Sequence, residues 1–288
     1  MTGTHARASD FLELTKPRLS ALVLVTTATG FWLGSRPPIR IGNMGAALIG
    51  TAMVVAGANA LNQWSERAFD ALMERTKRRP LPAGRLAPAT AFQFGLGLSV
   101  GGIVWLALAV NLLSSLLAAI SWATYLLCYT PLKRRTSLCT LVGAIPGALP
   151  PLIGWAGARN SLGADAWALF FLLFVWQLPH FLALAVLYRE DYARAGFQML
   201  PAIEPRGMIA ARQTALYGLV LLPVSLFPAV LGVAGRWYFY GAMALSLAFL
   251  LLAVRAAWLR SLQSCRELFL ASVLYLPALL SWLAATRV

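Results

Sequence analysis

Apolar runs long enough to cross a bilayer recur from one end of this 288-residue sequence to the other, and they leave few folds open. A membrane-spanning helix needs about 20 predominantly apolar residues. Nine such stretches are predicted, at approximately 20–35, 44–63, 91–109, 113–130, 138–156, 165–187, 214–233, 237–256 and 267–286, the first of them short for a bilayer. The runs are continuous rather than alternating, which argues against a membrane β-barrel. Only 12% of residues are charged against 59% hydrophobic, about half the charge of a soluble protein. The expected fold is all-α: one polytopic membrane bundle of nine transmembrane helices, a single domain over 1–288, with 1–19 as a polar cytoplasmic N-terminal segment.

The net charge of +14 would suggest nucleic acid in a soluble chain. Here it follows from topology. With the N-terminus placed in the cytoplasm, nineteen of the twenty-four basic residues fall on the cytoplasmic side, leaving Arg36, Arg40, Arg159, Arg236 and Arg287 outside. The positive-inside rule therefore predicts N-in and C-out. Nine of the ten acids, all but Asp165, share that side. Acid and base crowd the same loops, as a metal–phosphate site would need and as ordinary ion-paired loops also do. A central cavity opening to the cytoplasmic face is expected. Segment 1–19 lacks the apolar core of a signal peptide, and its His5 is expected to be solvated. Arginine outnumbers lysine 21 to 3, a bias that suggests a bacterial source, and hence a multi-pass protein of a bacterial plasma membrane. Cys128, Cys139 and Cys265 show no metal-ligand spacing and read as packing residues.

The most informative polar stretch runs from Asn62 to Pro82, N-Q-W-S-E-R-A-F-D-A-L-M-E-R-T-K-R-R-P-L-P. If the preceding helix continues to a break near Pro80, then Asn62, Glu66, Asp70 and Glu74 share one helical face, drifting about 40° per step. Carboxylates with an amide suit a hard cation such as Mg²⁺, which takes one or two carboxylates and completes its shell with water and substrate phosphate. Neighbouring arginines could hold phosphate oxygens. The competing reading is a solvated helix end with i,i+4 pairs such as Glu74 with Arg78.

Three further stretches stand out. Y-T-P-L-K-R-R-T, Tyr129 to Thr136, is a cationic loop that reads equally as a topology signal and as a phosphate contact, with Tyr129 as a hydrogen-bond donor. L-V-G-A-I-P-G-A-L-P-P-L-I-G-W, Leu141 to Trp155, is a kinked helix that packs closely or lines a cavity. W-Q-L-P-H-F, Trp176 to Phe181, places Gln177 and His180 inside an apolar span, where polar groups face the bundle interior. It leads into Y-R-E-D-Y-A-R-A-G-F-Q-M-L-P, a second acidic loop four helices after the first, an offset that hints at duplication. Pro17 in T-K-P-R is placed to begin the first long helix.

In that order, from Asn62 to Pro201, these pieces resemble the UbiA-type intramembrane prenyltransferases, and among them the branch that farnesylates heme. The resemblance implies farnesyl diphosphate as donor, heme B as acceptor and Mg²⁺ as cofactor. It assigns Asn62, Glu66, Asp70 and Asp191 to catalysis and metal, Arg75, Arg79, Lys133 and Tyr129 to the diphosphate, and His180 to heme. The lipid bilayer is the surrounding partner, no nucleic acid is implied, and a downstream heme A synthase or terminal oxidase assembly would use the product. Three positions depart from the family pattern: Glu66 and Ala68 stand where aspartate is common, and Ala195 removes a D-x-x-x-D pair from the second loop. A UbiA-type enzyme for a quinone precursor or chlorophyllide, and a transporter built from broken helices, are the alternatives.

Overall fold

The computed structural model describes residues 7–204 and 206–288; residues 1–6, with His5, and Pro205 lie outside the described residues. All regular elements within them are helical, and the one β contact is an isolated bridge between Ala234 and Arg287. In chain order the helices are α1 (Ala8–Leu14), α2 (Pro17–Gly34), α3 (Ile41–Asp70), α4 (Pro88–Ala109) and α5 (Leu112–Ala123). A π-helical segment, Thr124–Tyr129, joins α5 to α6 (Thr130–Leu132). Then follow α7 (Cys139–Ala148), α8 (Pro150–Arg159), α9 (Ala164–Leu187), α10 (Arg189–Arg194), α11 (Leu200–Ile203), α12 (Met208–Val230), α13 (Arg236–Leu259) and α14 (Leu262–Ala285).

Eight helices among the described residues are long and apolar enough to span a membrane, where nine spans were expected. The ninth, α2, has 18 residues and carries Arg18 with Ser20, Thr26, Thr27 and Thr29, which dilute its hydropathy. It nonetheless packs inside the bundle against α8. Added Cβ atoms at Gly30 and Gly154 would stand 2.0 Å from the Pro151 carbonyl oxygen and 1.9 Å from that of Thr27. The two backbones touch, as small residues permit in membrane bundles. Outward faces carry Leu108, Leu251, Leu274 and Trp258, all more than 60% exposed. Such a surface is costly in water and ordinary in lipid. The protein is a multi-pass membrane protein.

Local sequence explains several boundaries. Pro17 and Pro88 start α2 and α4, where a missing N–H costs nothing. The side chains of Asn111 and Ser261 accept hydrogen bonds from the Ser114 and Ser264 N–H groups and cap α5 and α14. The predicted kink lies at Leu149, dividing α7 from α8 just before Pro150. One boundary and one burial differ from expectation. Helix α3 ends at Asp70, about ten residues before Pro80, and residues 71–86 form a chain of turns. Cys128 is exposed, whereas Cys139 and Cys265 are buried, and all three are free thiols.

Candidate active site at the charged end of the bundle

Two cavities open at the end where the basic loops gather. One, of about 440 Å³, is lined by Lys16, Arg18 and Arg79; the other, of about 170 Å³, by Arg189, Arg206 and Arg260.

The final turns of α3 bring Asn62, Glu66 and Asp70 to one buried face, with exposures of 2%, 6% and 1%. Each meets a different cation. Lys16 Nζ lies 3.4 Å from Asn62 Oδ1, Lys133 Nζ lies 2.8 Å from Glu66 Oε1, and Arg79 Nη1 lies 2.9 Å from Asp70 Oδ2. These cations come from before α2, after α6 and the turns after α3. Buried carboxylates demand partners, and the tertiary fold supplies one apiece.

Hydrogen-bond bookkeeping fixes the amide. The Thr130 hydroxyl donates to the Tyr125 carbonyl at 2.9 Å, so it accepts from Asn62 Nδ2 at 3.2 Å. Asn62 therefore turns its oxygen toward Lys16. The π-helical segment before Thr130 sets this register, as π-bulges often do at functional sites.

Lys16 adopts a left-handed backbone, with φ of 49°, immediately before Pro17. That conformation costs a non-glycine residue about 1–2 kcal/mol, and it presents the ammonium to the acid row. Burial, then the nearby Arg79 and Lys133, push Lys16 down to about 7, against the opposing pull of Glu66 and Asp70. For Lys133 burial also acts downward, but Glu66 outweighs it and the ammonium is held above its usual range. Its Nζ lies 4.6 Å from the centre of the Tyr129 ring, which in turn stacks on Tyr125.

Arg75 and Asp191 join the two acidic loops. The Arg75 guanidinium lies 4.6 Å from the rings of both Tyr188 and Tyr192. Asp191 Oδ1 accepts from the Glu74 N–H at 3.2 Å and from Arg194. Burial acts to raise Asp191, but Arg194 and the backbone N–H groups of Glu74 and Arg75 outweigh it and hold the carboxyl low. Glu74, expected on the α3 face, is instead exposed in the turns after Asp70 and pairs with Lys77, not Arg78. Among the described residues no three His, Cys, Asp or Glu side chains gather as a metal cage.

His180 lies apart from the acids, between α9 and α14. Its ring stacks on Trp176 and Phe269, with centroids 5.1 and 4.9 Å away, and its Nδ1 lies 2.7 Å from Ser272 Oγ. The Ser272 hydroxyl donates to the Phe269 carbonyl. It therefore accepts from His180 Nδ1–H, and Nε2 keeps its lone pair. Gln177 is occupied elsewhere, donating to the Ala144 and Leu173 carbonyls.

Lys16, Thr130 and Ser272 were not singled out from sequence. T-K-P-R offered a signal, a lysine fixed beside a helix-starting proline, but a cation there reads first as topology. Nothing local marks Ser272.

The family profile described as UbiA prenyltransferase family matches residues 23–286. The chain belongs to the UbiA prenyltransferase family. Two curated relatives are named protoheme IX farnesyltransferase. That of Solibacter usitatus is 49% identical, covering 93% of this chain and 95% of its own, and that of Myxococcus xanthus is 44% identical, covering 98% and 95%. Solved structures share the UbiA fold at low identity. A digeranylgeranylglyceryl phosphate synthase superposes with a TM-score of 0.81 at 16% identity, covering 96% of this chain and 97% of that one. A UbiA homolog from Archaeoglobus fulgidus bound to DMAPP and Mg²⁺ gives 0.69 at 18%, covering 94% and 99%. As a UbiA-family member the chain is a membrane-embedded prenyltransferase.

Proposed function

We propose that this UbiA-family protein transfers the farnesyl group of farnesyl diphosphate to a vinyl group of heme B, giving heme O. The observation that carries the donor side is the buried row Asn62–Glu66–Asp70 with one cation at each member. Relatives named for protoheme IX farnesylation, matched over nearly their whole length, supply the acceptor.

The donor set suits Mg²⁺. Two carboxylates and an amide on one face are hard oxygen ligands, too few for an all-protein cage, and this ion shares its shell with substrate phosphate. Asn62, Glu66 and Asp70 would hold it, with Asp191 the candidate from the second acidic loop. Bound there, Mg²⁺ would offset negative charge on the diphosphate as the allylic C–O bond breaks.

The chain's own groups do the rest. Lys16, Lys133 and Arg79 exchange their carboxylate or amide partners for phosphate oxygens, so the site stays near neutral before and after the donor arrives. Arg75, clamped by Tyr188 and Tyr192, ties the second acidic loop to the first and stands beside the diphosphate. The stacked Tyr125 and Tyr129 rings offer π faces to the allylic cation. The departing diphosphate keeps the C–O electron pair, the vinyl π pair forms the new C–C bond, and water adds to the resulting porphyrin-stabilised cation with loss of a proton. His180, with Nε2 free to donate its lone pair, is the contact proposed for the heme iron. The positive bias of the loops at this end supports a site at the cytoplasmic face, N-in and C-out.

The test is mass analysis of hemes extracted from cells expressing this chain beside an Asp70→Ala control. A farnesyl-hydroxyethyl heme made only by the intact chain is expected. Recovery of heme B alone, with donor plentiful and the protein well expressed, would redirect the assignment to another acceptor.

A further inference from the structure

The second cavity lies outside the row of acids. Its basic lining is Arg189 at the start of α10, Arg206 before α12 and Arg260 after α13. Several other arginines at this end are engaged: Arg79 with Asp70, Arg85 with Asp10 and Glu13, Arg194 with Asp191, Arg255 with Glu267, and Arg75 over two tyrosines. Arg189, Arg206 and Arg260 form no ion pair with a described carboxylate and lie over no described ring. The cavity's one acid, Glu204, is already committed, its two oxygens accepting from the Ile209 and Ala210 N–H groups at the start of α12 at 2.7 and 3.1 Å. Three cations against one carboxylate leave a net charge of +2.

Position supplies the second argument. Apolar walls come from Ala183 of α9 and Leu268 of α14. Ala183 is three residues beyond His180, and Leu268 is four before Ser272, which hydrogen-bonds His180. Cavity and imidazole therefore share the α9–α14 seam, the arginines nearer the charged end. From His180 to Val186, which also lines the cavity, the helix rises about 9 Å. A volume of about 170 Å³ takes carboxylate groups but not a tetrapyrrole.

We infer that Arg189, Arg206 and Arg260 form the site for the two propionate carboxylates of the porphyrin acceptor, whose ring extends along the α9–α14 seam toward His180. This rests on heme B being the acceptor. The residual charge matches a dicarboxylate, and guanidinium forks bind carboxylates in pairs of hydrogen bonds.

The experiment titrates the purified full-length protein spectroscopically with heme B and with heme B dimethyl ester, whose propionates carry no charge. The intact chain is expected to bind heme B at least roughly tenfold more tightly than the ester, a few-fold for each exposed charge-assisted pair. The triple variant Arg189→Gln, Arg206→Gln, Arg260→Gln should bind both alike at the ester's affinity, while farnesyl diphosphate binding stays within about twofold and reports an intact fold. A triple variant that keeps the preference overturns the assignment. So does loss of a co-purifying anionic phospholipid with heme discrimination unchanged, which would make the cavity a lipid site. Failure of the intact chain to bind either heme would instead remove the acceptor reading itself, and the propionate site with it.

Discussion

The two charged regions at this end of the bundle are built on opposite plans. Around Asn62, Glu66 and Asp70 the acids are buried and each oxygen donor meets its own cation. Around Arg189, Arg206 and Arg260 the cations are exposed and carry no ion-pair partner among the described residues. The difference matches what each region is proposed to accept. A metal and a polyanion arriving together bring little net charge, so the receiving groups can be neutralised in advance and exchange partners. A dianion arriving without a metal needs cations left unspent. Burial enforces the first plan, because an unpaired buried carboxylate costs several kcal/mol; exposure permits the second, because water solvates a lone guanidinium cheaply.

The sharpest way to break this comparison is Asp70→Ala. It should lower farnesyl transfer by about 10³-fold and leave spectroscopic heme binding intact; loss of heme binding instead would mean that the two regions act as one. Next comes Lys133→Met, which strands Glu66. Stability should fall by about 3 kcal/mol in thermal unfolding without Mg²⁺. Adding Glu66→Gln should restore most of that stability but no activity, and an additive double variant would mean the pair is not coupled. His180→Ala should weaken heme binding by about tenfold with donor binding unchanged. Ser272→Ala should reproduce part of that loss and shift the imidazole ¹⁵N signals toward a tautomer mixture, while Ser272→Thr, which keeps the hydroxyl, should not. The smallest effect is expected for Arg75→Ala. Losing its two ring contacts, worth about 1 kcal/mol, should raise the KM for farnesyl diphosphate a few-fold with little change in kcat.

The acid row and the arginine cavity were unequally legible in the sequence. Asn62, Glu66 and Asp70 announced themselves by i,i+4 spacing, because a helix converts sequence interval into a shared face. Glu74 obeyed the same spacing and still left the row. Helix α3 stops at Asp70, and there the Thr76 hydroxyl and Arg79 engage the Asp70 carbonyl and carboxylate. The arginine cavity had no spacing to announce it, since Arg189, Arg206 and Arg260 stand on three separate segments.

By itself the sequence determined a helical membrane bundle, the start of α2 at Pro17, the kink before Pro150, and the crowding of both charge signs into a few loops. Those properties depend on hydrophobic run length, backbone covalent geometry and local composition, all readable within a window of a few turns. The tertiary structure alone decided which charges pair. Lys16 meets Asn62 across 46 positions, Lys133 meets Glu66 across 67, and Ser272 sets the His180 tautomer across 92. Burial makes each of those groups seek a partner, but only the packing of helices distant in sequence places a particular partner within hydrogen-bonding reach.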